Sequence, residues 1–75
     1  MSTLRRLTAV IEREGDGYVA LCPEFDIASQ GETIEEARSN LTEALTLFFA
    51  TADASEVDRR FQADVFITQV EVPVE

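Results

Sequence analysis

The chain has 75 residues, 15 of them acidic and six basic, so its formal net charge is −9. A single domain of this size buries only about 60% of the surface of its unfolded chain. The acidity disfavours direct binding of nucleic acid, because phosphate groups are held mainly by basic side chains. Histidine is absent, which excludes Ser-His-Asp and Cys-His catalysis and leaves too few ligands for a zinc site. We therefore expect one domain, residues 1–75, with no cofactor and no metal.

The N-terminus and the single cysteine indicate where the protein resides. Arg5 and Arg6 are not followed by the apolar run of a secretory signal. No apolar stretch approaches the roughly 20 residues that span a membrane. Cys22 has no second cysteine to pair with, so we expect a small buried apolar residue rather than a reactive thiol. These features predict a cytoplasmic protein without membrane contact.

The first 31 residues predict three strands. Apolar and polar residues alternate over 4–14 and again over 18–22, and the Gly-Asp-Gly sequence at 15–17 predicts a tight hairpin between them. Pro23 ends the second strand, because proline lacks the N–H that a ladder needs. A weaker strand is predicted for residues 25–30.

A helix is predicted next, over residues 34–50. Thr33 and Glu36 have the spacing of a capping box. Gly31 is expected to allow a sharp approach to the helix, where a Cβ atom would clash. Apolar residues then recur at intervals of three and four, as an amphipathic helix requires: Ile34, Ala37, Leu41, Leu45 and Phe48. The polar stretch 51–60 is predicted to be a linker with a short helical turn from Ser55.

Residues 61–74 predict a final strand whose apolar face changes. Odd positions are apolar at its start and even positions towards its end. Such a pattern indicates a bulge or a strand covered on both faces. We therefore expect a homo-oligomer, a dimer or a tetramer, with these residues in its interface: Phe49, Phe66, Thr68, Val70, Val72 and Val74. The predicted fold is α+β, in the order β-β-β-α-β, with one helix packed on a three-stranded antiparallel sheet.

Residues 17–37 resemble the N-terminal signature of the HicB-like antitoxin family. The signature is a strand beginning Gly17-Tyr18, then Pro23 with an acidic and an apolar residue, then Gln-Gly-acidic-Thr-aliphatic-Glu-Glu-Ala at 30–37. The resemblance extends over residues 4–49. It implies a truncated ribonuclease-H-like fold and a non-enzymatic antitoxin. Such an antitoxin neutralises a small basic ribonuclease toxin of a type II toxin–antitoxin system.

Longer members of that family carry a DNA-binding segment after this domain. Here the residues after the helix predict one strand, so autonomous DNA binding is not expected. A short, weak strand after Pro23 lies inside the signature, and its expected exposure makes it the predicted toxin contact. The residues of that contact are Glu24, Phe25, Asp26, Ile27, Ser29 and Gln30.

Two other functions fit the residues. One is a stand-alone homo-oligomeric structural or regulatory protein that has no toxin partner, as some short members of the family have no assigned role. The other is a metal-dependent nuclease, which would need converging carboxylates from the acidic positions Glu12, Glu14, Asp16, Glu24 and Asp26. Nothing in their spacing brings them together, so a solvated acidic rim is predicted instead. The pairs Arg5-Arg6 and Arg59-Arg60 are predicted to pair with local acids such as Glu12, Asp58 and Asp64 rather than with phosphate.

Overall fold

The computed structural model describes residues 4–62 and 65–75 of the chain. It contains three strands followed by two helices. The strands are β1 (Val10–Glu14), β2 (Gly17–Cys22) and β3 (Ile27–Gly31), and the helices are α1 (Ile34–Thr51) and α2 (Ala54–Arg60). This arrangement confirms the predicted α+β class, with α1 packed on a three-stranded antiparallel sheet. Among the described residues, no helix is long and apolar enough to cross a membrane.

Strand β2 lies in the middle of the sheet. The hairpin that joins it to β1 turns at Gly15, whose φ of 60° suits glycine. Strand β1 begins at Val10, which pairs with Leu21, so the strand predicted from residue 4 is shorter than expected. Pro23 ends β2, so the residues before Val10 have no residue of β2 opposite them with which to pair. The backbone N–H of Thr8 donates instead to a side chain of the β2–β3 turn.

Both helices begin at polar caps. The Thr33 hydroxyl accepts from the Glu36 N–H at 3.0 Å, and the Glu36 carboxylate accepts from the Glu32 N–H at 3.0 Å. The predicted capping box is therefore confirmed, with the glutamate reaching one residue further back than the motif requires. The linker predicted after α1 is largely helical, because Asp53 caps α2 by accepting from the Glu56 N–H at 2.8 Å.

Phe25 occupies the centre of the core. Its side chain is only 1% exposed, and the other buried residues around it are Ala20, Cys22, Ala37 and Leu41. Three further rings lie near it, with centroid distances of 5.4 Å to Phe48, 5.1 Å to Phe49 and 5.4 Å to Phe61. The expectation that Cys22 is a buried apolar residue is confirmed.

Helix α1 lies off the centre of the sheet. It packs most extensively on β3, less on β2 and least on β1. Its close approach to the end of β3 depends on Gly31, where a Cβ atom would lie 2.5 Å from the Ala37 nitrogen. The predicted role of that glycine is confirmed. The off-centre packing leaves β1 the least covered strand of the sheet.

The predicted final strand is wrong for the single chain. Residues 61, 62 and 65–75 belong to no strand, while Ala63 and Asp64 lie outside the described residues. A strand needs a neighbour for its backbone N–H and C=O groups, and residues 65–75 lack one in the described part of the chain. We call residues 65–75 the terminal segment. It is largely exposed, and the radius of gyration is 14.6 Å, against about 11 Å for a compact chain of this length.

Candidate functional site

Glu24 joins three parts of the chain. Its carboxylate accepts from the Thr8 N–H at 3.0 Å, from the Thr8 hydroxyl at 2.8 Å and from the Cys22 thiol at 3.4 Å. Its backbone oxygen accepts from the Gln62 N–H at 2.7 Å. The residue therefore ties the N-terminal segment and the end of α2 to the β2–β3 turn. Its carboxylate is engaged within the chain.

These hydrogen bonds change the pKa values of two groups, the Glu24 carboxyl and the Cys22 thiol. Partial burial alone would raise the pKa of the Glu24 carboxyl, but hydrogen bonds from Thr8, from the local backbone and from Cys22 outweigh it and lower the pKa. Burial raises the pKa of the Cys22 thiol, and the neighbouring Glu24 carboxylate raises it further. Cys22 is thus a protonated donor, the opposite of what a reactive thiolate requires.

The Glu24 carboxylate should make the fold sensitive to acid. Because its pKa is lower in the folded chain, its stabilisation is complete above the unfolded-state pKa and is lost as the pH falls through the folded-state pKa. We expect Glu24→Gln to reduce the free energy of unfolding by about 1 kcal/mol at pH 7, a figure that allows for solvent screening. The variant should also lose less stability than the wild type on acidification. Urea unfolding at pH 7, 5 and 3 measures both effects.

Glu43→Gln serves as the control for that experiment, because Glu43 lies exposed on α1. Its unfolding curve should shift little at pH 7 and should follow the wild type as the pH falls. Equal pH slopes for Glu24→Gln and the wild type would contradict the assigned role of Glu24.

Two arginines lie over aromatic rings. The Arg5 guanidinium carbon lies 5.4 Å from the Phe49 ring centroid and 5.2 Å from that of Phe61. Arg60 lies 4.8 Å from the Phe48 centroid and donates to the backbone oxygen of Phe25 at 3.0 Å. The predicted pairing with local acids stays a prediction, and Asp64, one of the acids named for it, lies outside the described residues. The N-terminal segment and α2 flank the aromatic cluster and place these cations over ring faces.

The predicted toxin contact divides into buried and exposed residues. The exposure expected for this stretch is wrong for Phe25, because its ring fills the core. Ile27 and Ser29 are half-buried, whereas Asp26 and Gln30 are exposed. Even Gln30 is engaged through its backbone, because its oxygen accepts from the Asn40 amide at 2.7 Å.

The residues predicted at an oligomer interface also differ in their exposure. Phe49 is half-buried, in edge contact with Phe25, so it packs within the single chain. The others all lie in the terminal segment and are exposed: Phe66, Thr68, Val70, Val72 and Val74.

Exposed carboxylates gather at the end of the molecule that holds the β1–β2 hairpin. A Cβ atom on Gly17 would lie 2.8 Å from the Gly31 oxygen, so the hairpin, the end of β3 and the start of α1 are adjacent. We call five exposed acids there the acidic end: Glu14, Asp16, Glu32, Glu35 and Glu36. Part of this surface is a depression of about 450 Å³ that includes Tyr18. Sequence reasoning recognised these acids separately, but only the fold brings them together.

The carboxylates do not form a metal site in the described part of the chain. No three His, Cys, Asp or Glu side chains of residues 4–62 and 65–75 are placed to hold a metal ion together. Five exposed carboxylates at the acidic end favour long-range attraction of a cationic surface.

An apolar groove runs between residues 4–9 and α1. Its volume is about 620 Å³, and its apolar lining is Leu4, Leu7, Ala9, Leu41, Leu45, Phe49 and Ala50. Arg5, Arg38 and Thr46 add polar groups to the same walls. We call this feature the lateral groove. Sequence reasoning missed it, because it arises from the off-centre position of α1.

Comparison with known proteins finds relatives along nearly the whole chain. A UPF0150 protein of Helicobacter pylori is 33% identical over 67 residues, which cover 88% of this chain and 93% of the relative. Two UPF0150 proteins of Synechocystis sp. are 51% and 49% identical over 43 residues, 55% of this chain in each case and 60% and 54% of the relatives. No family model matches the chain. No solved structure matches it either. With the Helicobacter pylori relative matched over almost its full length, the chain belongs to the UPF0150 family.

Proposed function

We propose that this protein is a non-enzymatic binding module, a HicB-like antitoxin that neutralises a small basic ribonuclease toxin of a type II toxin–antitoxin system. The observation that carries the proposal is the acidic end, which lies within the part of the chain that resembles the antitoxin signature. The free thiol of Cys22 suits action in the reducing cytoplasm, where such a toxin would be made.

Charge supports this choice of partner. The acidic end presents five exposed carboxylates, and Arg13 is the basic residue on the adjoining strand β1. Such a surface accelerates encounter with a cationic protein at moderate ionic strength, because attraction extends over roughly a Debye length of 8 Å. Affinity then depends on apolar and hydrogen-bonded contacts made after docking. Asp26 and Gln30, the exposed members of the predicted contact, are available for some of these.

The test begins with the product of the adjacent gene, co-expressed with this chain. If it is a small basic protein that co-purifies, Asp16→Asn, Glu32→Gln and Glu35→Gln should be combined. We expect the association rate constant to fall about tenfold at low salt, and the difference to shrink at high salt. Stopped-flow or surface binding kinetics measure this. Purified protein should cleave no RNA with magnesium or manganese.

A control variant removes the same three charges elsewhere on the surface, through Glu43→Gln, Asp58→Asn and Glu71→Gln. Its association rate constant should fall less than that of the acidic-end variant. Equal effects of the two variants would show that only net charge matters. A neighbouring gene that encodes no small basic protein would count against the antitoxin function itself.

A second function is favoured by the terminal segment, namely self-association as a dimer or tetramer. Phe66 is 86% exposed, Val70 79% and Val74 88% in the single chain. A contiguous apolar stretch of this kind typically marks an interaction surface. We expect light scattering to give the mass of an oligomer, whereas a stable monomer at all concentrations would exclude this function.

A further inference from the structure

We infer that the lateral groove of one copy receives the terminal segment of a second copy, and that the exchange is reciprocal. This inference rests on the proposed self-association and names the acceptor site for it. Three features of the described residues support it, namely the uncovered groove, the pattern of the terminal segment and their charges.

The groove provides apolar surface between the segment that precedes β1 and helix α1. Leu7, Leu45 and Phe49 contribute to its walls. Residues 4–9 belong to no strand, so their wall is an extended segment rather than part of the sheet. An added extended segment here would gain apolar contacts with both walls.

The terminal segment has the pattern of the missing strand. From Thr68 onwards its even positions carry the apolar residues Val70, Val72 and Val74, whereas Gln69 and Glu71 occupy odd positions. One face can therefore enter the groove while the other faces water.

The charges of the two surfaces are complementary. Arg5 and Arg38 line the groove, and its described lining contains no carboxylate, although the chain is strongly acidic overall. The terminal segment contains Glu71 and Glu75 and no basic residue. Attraction between the arginines of the groove and the glutamates of the terminal segment would favour this segment over an uncharged apolar strand.

A second copy is the inferred occupant because residues 65–75 of the single chain lie outside the lining of their own groove. The Gln62 N–H donates to the Glu24 oxygen at 2.7 Å, which fixes the chain at the β2–β3 turn before the terminal segment. Two copies related by a twofold axis would fill both grooves and form a closed dimer.

The experiment uses one substitution on each side of the contact. Val70→Asp charges the apolar face of the terminal segment, and Thr46→Glu charges the groove wall. Both residues are exposed in the single chain, so the fold should persist, which circular dichroism checks. By light scattering and sedimentation, each variant should raise the dimer dissociation constant by at least about tenfold relative to the wild type.

Mixing the two variants gives the decisive result. The Val70→Asp chain keeps an intact groove and the Thr46→Glu chain keeps an intact terminal segment, so one complete contact forms in a mixed dimer. With one partner tagged, native mass spectrometry should show this heterodimer at concentrations where neither variant dimerises alone. Gln69→Asp and Ser39→Glu are the matched controls, since they add the same charge at neighbouring positions outside the proposed contact. Both should dimerise like the wild type.

The outcomes separate this inference from the function on which it rests. A monomeric wild type excludes self-association and the inference together, and destabilisation of that monomer by Val70→Asp would show the segment seated in its own groove. A wild-type oligomer that persists in Thr46→Glu would leave self-association intact and overturn the groove as acceptor. Absence of the mixed dimer, with both variants folded and monomeric, would likewise overturn the reciprocal exchange.

Discussion

Phe25→Ala is expected to lower the free energy of unfolding by about 3–5 kcal/mol. The ring is 1% exposed and contacts three other aromatic rings, so its removal leaves a void at the centre of the core. A domain of this length has a total stability of the order of 4–11 kcal/mol. The loss is therefore a large fraction of the total stability, and the unfolding midpoint should fall well below that of the wild type. Urea or thermal unfolding followed by circular dichroism measures the loss.

Phe61→Ala is the matched control for Phe25. Its ring lies at a similar distance in the same cluster but is 36% exposed. Because water already reaches it and fewer neighbours surround it, we expect the loss to be about half of that for Phe25→Ala. Equal losses for the two variants would mean that Phe25 is not the centre of the core.

Gly31→Ala is expected to lower the free energy of unfolding by about 2–3 kcal/mol, although it adds a single methyl group. The new Cβ atom would lie 2.5 Å from the Ala37 nitrogen and 2.8 Å from the Glu36 carbonyl carbon. Both are backbone atoms of the first turn of α1, so relief requires that the helix move off the end of β3. The same unfolding measurements apply, and near-ultraviolet circular dichroism reports any loosening of the aromatic core.

Gly15→Ala is the control for Gly31→Ala, because it tests the cost of the backbone conformation without a steric clash. Gly15 has a φ of 60°, but apart from Gly15 and its two chain neighbours no described residue has an atom within 4 Å of the position that a Cβ atom would take there. The variant should lose about 1 kcal/mol of unfolding free energy, from the left-handed backbone alone. If Gly31→Ala costs no more than Gly15→Ala, then α1 and β3 do not approach as closely as described.

Local signals in the sequence were enough to predict most of the elements. Thr33 and Glu36 mark the start of α1, and Gly15 marks the hairpin, because capping and positive φ depend on residues close together in the chain. The burial of Phe25 was not predictable in this way. It follows Pro23 in a turn, where neither the strand period nor the helix period tells which way a side chain points.

The candidate sites likewise combine residues that are visible in the sequence with an arrangement that only the fold provides. Each carboxylate of the acidic end is visible in the sequence, but its neighbours in space come from the hairpin and from α1. Likewise, the sequence shows Arg5 as one of a basic pair, whereas packing places it over Phe49 and Phe61. The lateral groove has no local signal, because it results from the angle and position of a whole helix against a sheet.

By itself, the sequence determined the fold class, the order of the first three strands and α1, and the strongly acidic character of the protein. These properties follow from periodicity, capping and composition, which act over a few residues or over the whole chain at once. Only the tertiary structure decided that Phe25 fills the core, that Glu24 binds Thr8, that the acids converge at one end, and that the terminal segment lies outside the sheet. Those outcomes depend on contacts between distant residues. A strand in particular exists only when another backbone pairs with it.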